Sequence, residues 1–472
     1  MRKHIFQNLI YQSFYQVLKI IMPLITVPIV SHALGVQGIG KYSFANSIAQ
    51  YFVLIAALGL PLYGTREIAK VRDSKDDLSK TFWNLEGFSL ILTSMVVVFY
   101  FLAGFIFNLG LIYFIQVILV LGTGLDVSWF FMGMEDFKKI TLVNFILQIL
   151  YFVLIVTQIK SSGDLIKYTV FISSLAFLNP LTLWFFVHKK ISFVRPKIND
   201  MFIASKESFL LFIPQVAIVL YTNMNKTMLG ILSSKSYVGV FTNALLVTTT
   251  IITLISTIDT VLMPHATRLF VQKKFRQGYR MIQKVLNLEV YFTIAIAAGI
   301  FAITSKLVPW FFGATFSLME YVLPIAGLLV IAIPGGMTIS KQYLIPQGRI
   351  KEYNNSVYIG AVISILLNFI LIPVWGAIGA ALVSVIVEAI IWLIRLVDFW
   401  KRTHLGYSVR QVLMNLLSAG IMILLVKLVT NGFGANVLTT VIQVLIGGSI
   451  YLVLTTILKA NPLISILKEI RK

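Results

Sequence analysis

Apolar residues run through this chain in long blocks, not in helical stripes or strand-like alternation. Blocks of about 18 or more recur from one end to the other, which is the pattern of membrane-crossing helices. Since about 20 residues cross the hydrocarbon, the blocks predict helices near 7–32, 41–63, 82–106, 112–131, 141–159, 166–187, 207–231, 237–262, 286–305, 319–340, 355–373, 376–398, 411–430 and 437–458. The pattern is least regular over 304–340, where Pro309, Pro324 and Pro334 interrupt it. The fold class expected is therefore an all-α integral membrane protein of about 14 transmembrane helices.

Composition agrees. Of 472 residues, 58% are hydrophobic and 12% charged, and the mean hydropathy is +0.90. A soluble domain carries about 25% charged residues, and the polar face that soluble helices need is missing. The net charge of +21 would suggest nucleic acid in a soluble protein, but its placement explains it better. One alternate set of loops, together with the chain ends, holds 31 of the 39 Lys and Arg residues. The opposite loops hold only Lys41, Lys160, Lys167, Lys235 and Lys306, and Lys19, Lys226 and Lys427 fall inside spans. Basic loops stay cytoplasmic, so both termini are expected in the cytoplasm, with anionic membrane lipids as partners of the basic loops.

Other classes find little support. Cysteine is absent, so there is no disulfide frame or thiolate metal site. The first apolar block is too long for a signal-peptide core and reads as a retained span. The loops are too short to fold a domain of their own. No phosphate-binding glycine loop and no HExxH stretch occurs, and the five histidines are scattered. A membrane glycan polymerase or ligase is thus disfavoured, and the expectation is a protein without enzymatic activity or cofactor.

An internal repeat suggests how the spans are grouped. Gly40-x-Tyr42-x-x-Ala45 matches Gly239-x-Phe241-x-x-Ala244 at an offset of 199, and Gln16 matches Gln215 at the same offset. Six spans separate the copies, so the halves share one orientation and are related by an axis along the membrane normal. This predicts two pseudo-symmetric six-helix lobes, 1–200 and 201–400, facing a central cleft, with two additional helices in 401–472. The segment 188–206 is the expected linker.

Several stretches resemble a known family. Leu34-Gly35 with Gly38, Gly40, Tyr42 and Ala45 is similar to the start of the second helix in Wzx-type polysaccharide flippases. Gly64-Thr65-Arg66-Glu67-Ile68-Ala69 resembles the end of that helix in the same family. Asp126, Ser128-Trp129-Phe130-Phe131, Gly133, Glu135 and Phe137-Lys138-Lys139 resemble its most specific segment, and Gly376-Ala377-Ile378-Gly379-Ala380-Ala381 with Glu388 a further helix. The likeness runs over most of the first 400 residues. It implies alternating-access translocation of an undecaprenyl-pyrophosphate-linked oligosaccharide from the inner to the outer leaflet of a bacterial cytoplasmic membrane. The product would serve capsule, O-antigen or exopolysaccharide assembly, beside a polymerase and assembly proteins. Peptidoglycan-precursor flippases and multidrug or cation antiporters share the superfamily and are the alternatives.

Such cargo needs a wet path, because each unpaired hydroxyl moved into hydrocarbon costs on the order of several kcal/mol. Gln12, Gln16 and Lys19 fall on one face of the first span, and Gln215, Thr222 and Lys226 on one face of the seventh, with Asn223 near by. These are the candidate cavity residues, with the two lysines placed to attract pyrophosphate. Interfacial snorkelling of Lys19 and helix-to-helix bonding of the glutamines are the competing readings. Glu388, Asp126 and Asp259 are the candidates for coupling to Na⁺ or H⁺, since intramembrane carboxylates are costly and either paired or functional. A packing or capping role beside Trp129 is the stronger reading for Asp126. Arg66 and Glu67 are candidates for a gate or an interface anchor.

Overall fold

The computed structural model describes residues 2–464, apart from the side chains of residues 2–21 and of Ala204, Leu210, Leu211, Ile213, Pro214, Ala217 and Tyr221. Among the described residues every regular element is a helix. The chain forms two compact units, Met1–Thr227 and Met228–Lys472.

The first unit contains α1 (Arg2–Ala57), α2 (Leu60–Val71), α3 (Lys75–Ile106), α4 (Leu111–Ile115), α5 (Val117–Gly124), α6 (Ser128–Gly133), α7 (Phe137–Gln158) and α8 (Leu165–Val187). It also takes most of α9 (Ile198–Leu232). The second contains α10 (Lys235–Ile255), α11 (Thr257–Val271), α12 (Phe275–Phe311), α13 (Met319–Gly327), α14 (Leu329–Ile339), α15 (Ile350–Thr403), α16 (Val409–Thr430) and α17 (Val437–Ile457).

Two helices are too long to be single spans. A helix rises about 1.5 Å per residue, and the hydrocarbon is about 30 Å thick, whereas α1 has 56 residues and α15 has 54. Each breaks at one glycine: Gly35 (φ 64°, ψ 178°) in α1 and Gly376 (φ 52°, ψ −125°) in α15. Positive φ at these points excludes most other residues, and a Cβ at Gly376 would also lie 2.5 Å from the Tyr237 ring. Both glycines open a motif singled out above. Eleven stretches among the described residues are long and apolar enough to cross a membrane, two of them carrying these breaks. With α9, they overlap every expected interval, the first of them from Met22 onward, so the chain is an all-α, multi-pass membrane protein.

Its surface and interior follow membrane rules. Phe99, Phe105, Leu428 and Leu445 are exposed, while Ser89, Thr93, Asn243, Thr248 and Asn368 are buried. In lipid the apolar faces turn outward, and small or hydrogen-bonding residues join the helices. Many hydroxyls are satisfied by the carbonyl one turn back, as in Thr157, Thr182 and Thr253. In the first unit, Phe82, Trp129, Phe130 and Trp184 make an aromatic core between α3, α6 and α8. In the second, α12 packs against α13, α14, α16 and α17. There Tyr451 donates to the Tyr291 carbonyl at 2.9 Å, and Gln443 to Thr430 at 2.8 Å.

The structure corrects several boundaries. α9 starts at Ile198, so the non-helical connection is shorter than the segment 188–206. The interval 112–131 holds three short helices, and 237–262 is divided at Ser256. Around the prolines, α12 runs to Phe311, and α13 and α14 meet at Leu328. A π-helical turn, Ser340–Leu344, then follows α14. Arg395, counted with the basic loops although it falls within the expected span 376–398, is buried within α15, where it donates to Ser356 and to the Gly336 carbonyl.

Candidate functional site

The side chains of Gln12, Gln16 and Lys19 lie outside the described residues. On α9, Gln215, Asn223 and Lys226 are half-buried and Thr222 is exposed. The Thr222 hydroxyl is turned back to its own helix, donating to the Ile218 carbonyl at 2.8 Å. The next residue after Lys226 docks α9 on α1, since Thr227 donates to Ser47 at 2.9 Å and lies 3.1 Å from the Tyr51 hydroxyl.

Asp126 borders a cavity of ≈ 470 Å³ inside the first unit. Gln50, Ser89, Thr123, Asn144 and Asn179 add polar groups to the wall, and Trp129 adds a ring. Asn179 donates to Asn144. Asp126 Oδ1 accepts the Ser128 backbone N–H at 2.9 Å, so the carboxylate caps the turn that presents Trp129. The same carboxyl group has a place on the cavity wall. Gly64 allows α2 to meet Trp129, since a Cβ there would lie 2.7 Å from the indole.

Asp259 stands in a second polar cluster, in the other unit. Its side chain is 0% exposed. Oδ1 accepts from Thr338 at 2.8 Å and from Gln342 Nε2 at 2.7 Å. Thr338 also contacts Glu289 Oε2. Glu388 is half-buried in the second segment of α15. Arg66 and Glu67 lie at the end of α2, where Arg66 Nε and Lys70 Nζ reach Glu67 at 2.9 and 2.8 Å, and Arg66 reaches Glu207 at 3.6 Å. The Arg66 guanidinium also lies 5.2 Å from the centre of the Tyr63 ring.

Two buried acids, Glu86 and Glu289, are not among the candidates read from the sequence; each sits near the start of an expected span. Glu86 is 0% and Glu289 2% exposed. Neither oxygen of Glu86 has a hydrogen-bond partner among the described residues, and Asp126 is its acidic neighbour. A sequence signal did exist: Asn84-Leu85-Glu86 on α3 recurs as Asn287-Leu288-Glu289 on α12. The asparagines do equivalent work. Asn84 Oδ1 accepts the N–H of Lys197, just before α9, at 2.9 Å, and Asn287 Oδ1 accepts that of Ser408, just before α16, at 3.0 Å.

Comparison with known proteins narrows the setting. The chain is 25% identical over 399 residues to a protein of Escherichia coli (strain K12) named "Putative O-antigen transporter", covering 82% of this chain and 94% of that one. A protein of the same name from Shigella dysenteriae is 23% identical, with 80% and 95% covered. Among solved structures, the inward closed conformation of the lipid II flippase MurJ superposes with a TM-score of 0.74 at 18% identity, over 96% of this chain and 98% of that one. An inward-facing multidrug resistance MATE family transporter of the MOP superfamily gives 0.62 at 16% identity, over 84% and 98%. These two likenesses are likenesses of fold. The family model described as polysaccharide biosynthesis protein matches residues 5–270, more than half of the sequence, and the chain belongs to that family.

Proposed function

We propose that the protein is a flippase carrying an undecaprenyl-pyrophosphate-linked oligosaccharide repeat unit from the inner to the outer leaflet of a bacterial cytoplasmic membrane by alternating access. Its product would feed capsule, O-antigen or exopolysaccharide assembly, and both termini would be cytoplasmic. The observation that carries this reading is the match, over about four-fifths of the chain, to relatives named as O-antigen transporters. The cavity beside Asp126 supports it: amide, hydroxyl and carboxyl groups inside an apolar bundle suit a hydroxyl-rich cargo.

Gln12, Gln16, Lys19, Gln215, Thr222, Asn223 and Lys226 are proposed to contact the cargo, the two lysines attracting pyrophosphate. An anion leaving a negative interior gains about 2.3 kcal/mol per charge per 100 mV, so the membrane potential favours the outward step. Glu388, Asp126 and Asp259 are the proposed coupling acids, and Arg66 with Glu67 the proposed gate.

The test is surface-glycan export in a strain lacking this gene and carrying Lys19→Glu or Lys226→Glu. Both variants are expected to reach the membrane and lose export. Normal export from both removes the assignment of the lysines. Rescue of cell-wall synthesis or acquired drug resistance by the wild-type chain, without glycan export, replaces the sugar reading by a peptidoglycan-precursor flippase or an antiporter.

A further inference from the structure

In the second unit two buried carboxyl groups share one hydroxyl. Thr338 Oγ1 is within hydrogen-bond distance of both Asp259 Oδ1 and Glu289 Oε2. A hydroxyl has one hydrogen to give, and an ionised carboxylate has none. Two ionised acids cannot both be bonded to Thr338, so one of the two contacts needs a proton on the acid.

The donors decide which acid carries it. Asp259 Oδ1 also accepts from Gln342 Nε2, so Asp259 is the acid equipped to remain an anion. Among the described residues Glu289 has no donor besides Thr338. The hydrogen-bond chain therefore runs from a protonated Glu289 to Thr338 and from Thr338 to Asp259. A separate feature points to a ligand. Gln342 is 0% exposed, and among the described residues its amide oxygen has no donor, although its nitrogen is bonded. Glu289 Oε1 and Asp259 Oδ2 likewise have no partner there. Oxygens of this kind are the ligands that hard cations take.

We propose that Glu289, Thr338, Asp259 and Gln342 form a binding site for one monovalent cation, occupied in this conformation by a proton on Glu289. Charged and titratable groups approach the two acids from three places in the unit. Lys341, in the π-helical turn, donates to Thr260 at 3.0 Å and its charge acts on Asp259. Arg395, on α15, donates to the Gly336 carbonyl. Tyr407, after α15, faces both acids. Neither acid has a salt-bridge partner among the described residues. Loading and unloading this site would couple an ion gradient to transport, and that coupling rests on the flippase reading above. Occupancy itself does not.

Infrared difference spectroscopy of the full-length protein in lipid nanodiscs tests occupancy. The wild type is expected to keep the carbonyl stretch of a buried carboxylic acid through neutral pH. Glu289→Gln should lose one such band, with any bands from Glu86 and Asp126 cancelling between variants. Thr338→Ser should keep it, and Thr338→Val, which preserves shape, should shift its frequency or titration midpoint. A band unchanged by Glu289→Gln and by Asp259→Asn overturns the site. Repeating the titration in NaCl and in choline chloride identifies the exchanging ion: selective loss of the band in Na⁺ assigns sodium as second occupant, equal spectra assign the proton alone, and both support the site. No glycan enters this measurement, so its failure leaves the transport reading standing, and failed glycan export leaves the site standing.

Discussion

Asn84 on α3 and Asn287 on α12 hold the same kind of contact in the two units, but the glutamates two residues further on do not. Each asparagine ties down the backbone just before a later helix. Glu289 is joined through Thr338 to Asp259, while the Glu86 carboxyl group has no hydrogen-bond partner among the described residues. Asp126, the acid near Glu86, takes its hydrogen bond from Ser128, two residues along the chain. The difference separates two demands on one recurring tripeptide. The amide serves folding in both units, and the acid has a built environment in one only.

The largest stability effect is expected where that environment is broken. Thr338→Val deprives both acids of a partner and should cost about 1–3 kcal/mol, read as a lowered thermal midpoint of the purified protein in detergent. An unchanged midpoint would remove the contrast between the units. Next come Asn84→Leu and Asn287→Leu, each expected to lose about 1 kcal/mol in the same assay. The Asn84 change should cost more, because its amide also donates to Asp200 at 3.1 Å. Unequal losses in the reverse order would break the equivalence. Glu86→Gln removes an acid without partners and should be neutral or slightly stabilising, and a loss comparable to that of Thr338→Val would show that Glu86 has a partner of its own.

The smallest effect concerns an acid outside the spans. Burial raises the pKa of Asp136, but hydrogen bonds from Lys139 and Lys190, at 2.8 and 2.9 Å, outweigh it and hold the carboxyl below its ordinary value. A depressed acid contributes stability above its unfolded pKa, and the contribution is lost as pH falls through the folded value. Asp136→Asn should therefore flatten the acid limb of a stability–pH curve by no more than about 0.5 kcal/mol, because solvent screens the pair. A larger flattening would mean that exposed pairs rival the buried acids.

Legibility in the sequence followed physical constraint. The apolar blocks were readable because lipid tolerates little else, and both glycine breaks fell at motifs already singled out. The division of 112–131 into α4, α5 and α6 was not readable, since Gln116, at the junction of α4 and α5, bonds Asn46 and the Tyr42 carbonyl on α1, contacts that a single polar residue in an apolar run does not announce. Of the site, Asp126 and Asp259 stood out as acids in apolar surroundings. Glu86 and Glu289 did not, because burial near a helix end depends on which neighbours cover it. Thr338 and Gln342 carry no charge, and only coordinates bring them to Asp259.

Gly35 governs more than a local bend. A membrane chain keeps count of its passages, and each one sends the next connection to the other side. Were a substitution to make the segments flanking Gly35 a single passage, every later connection would emerge with inverted sidedness, and the lysine- and arginine-rich ones would have to cross. One missing Cβ thus protects the topological parity of more than 400 residues downstream.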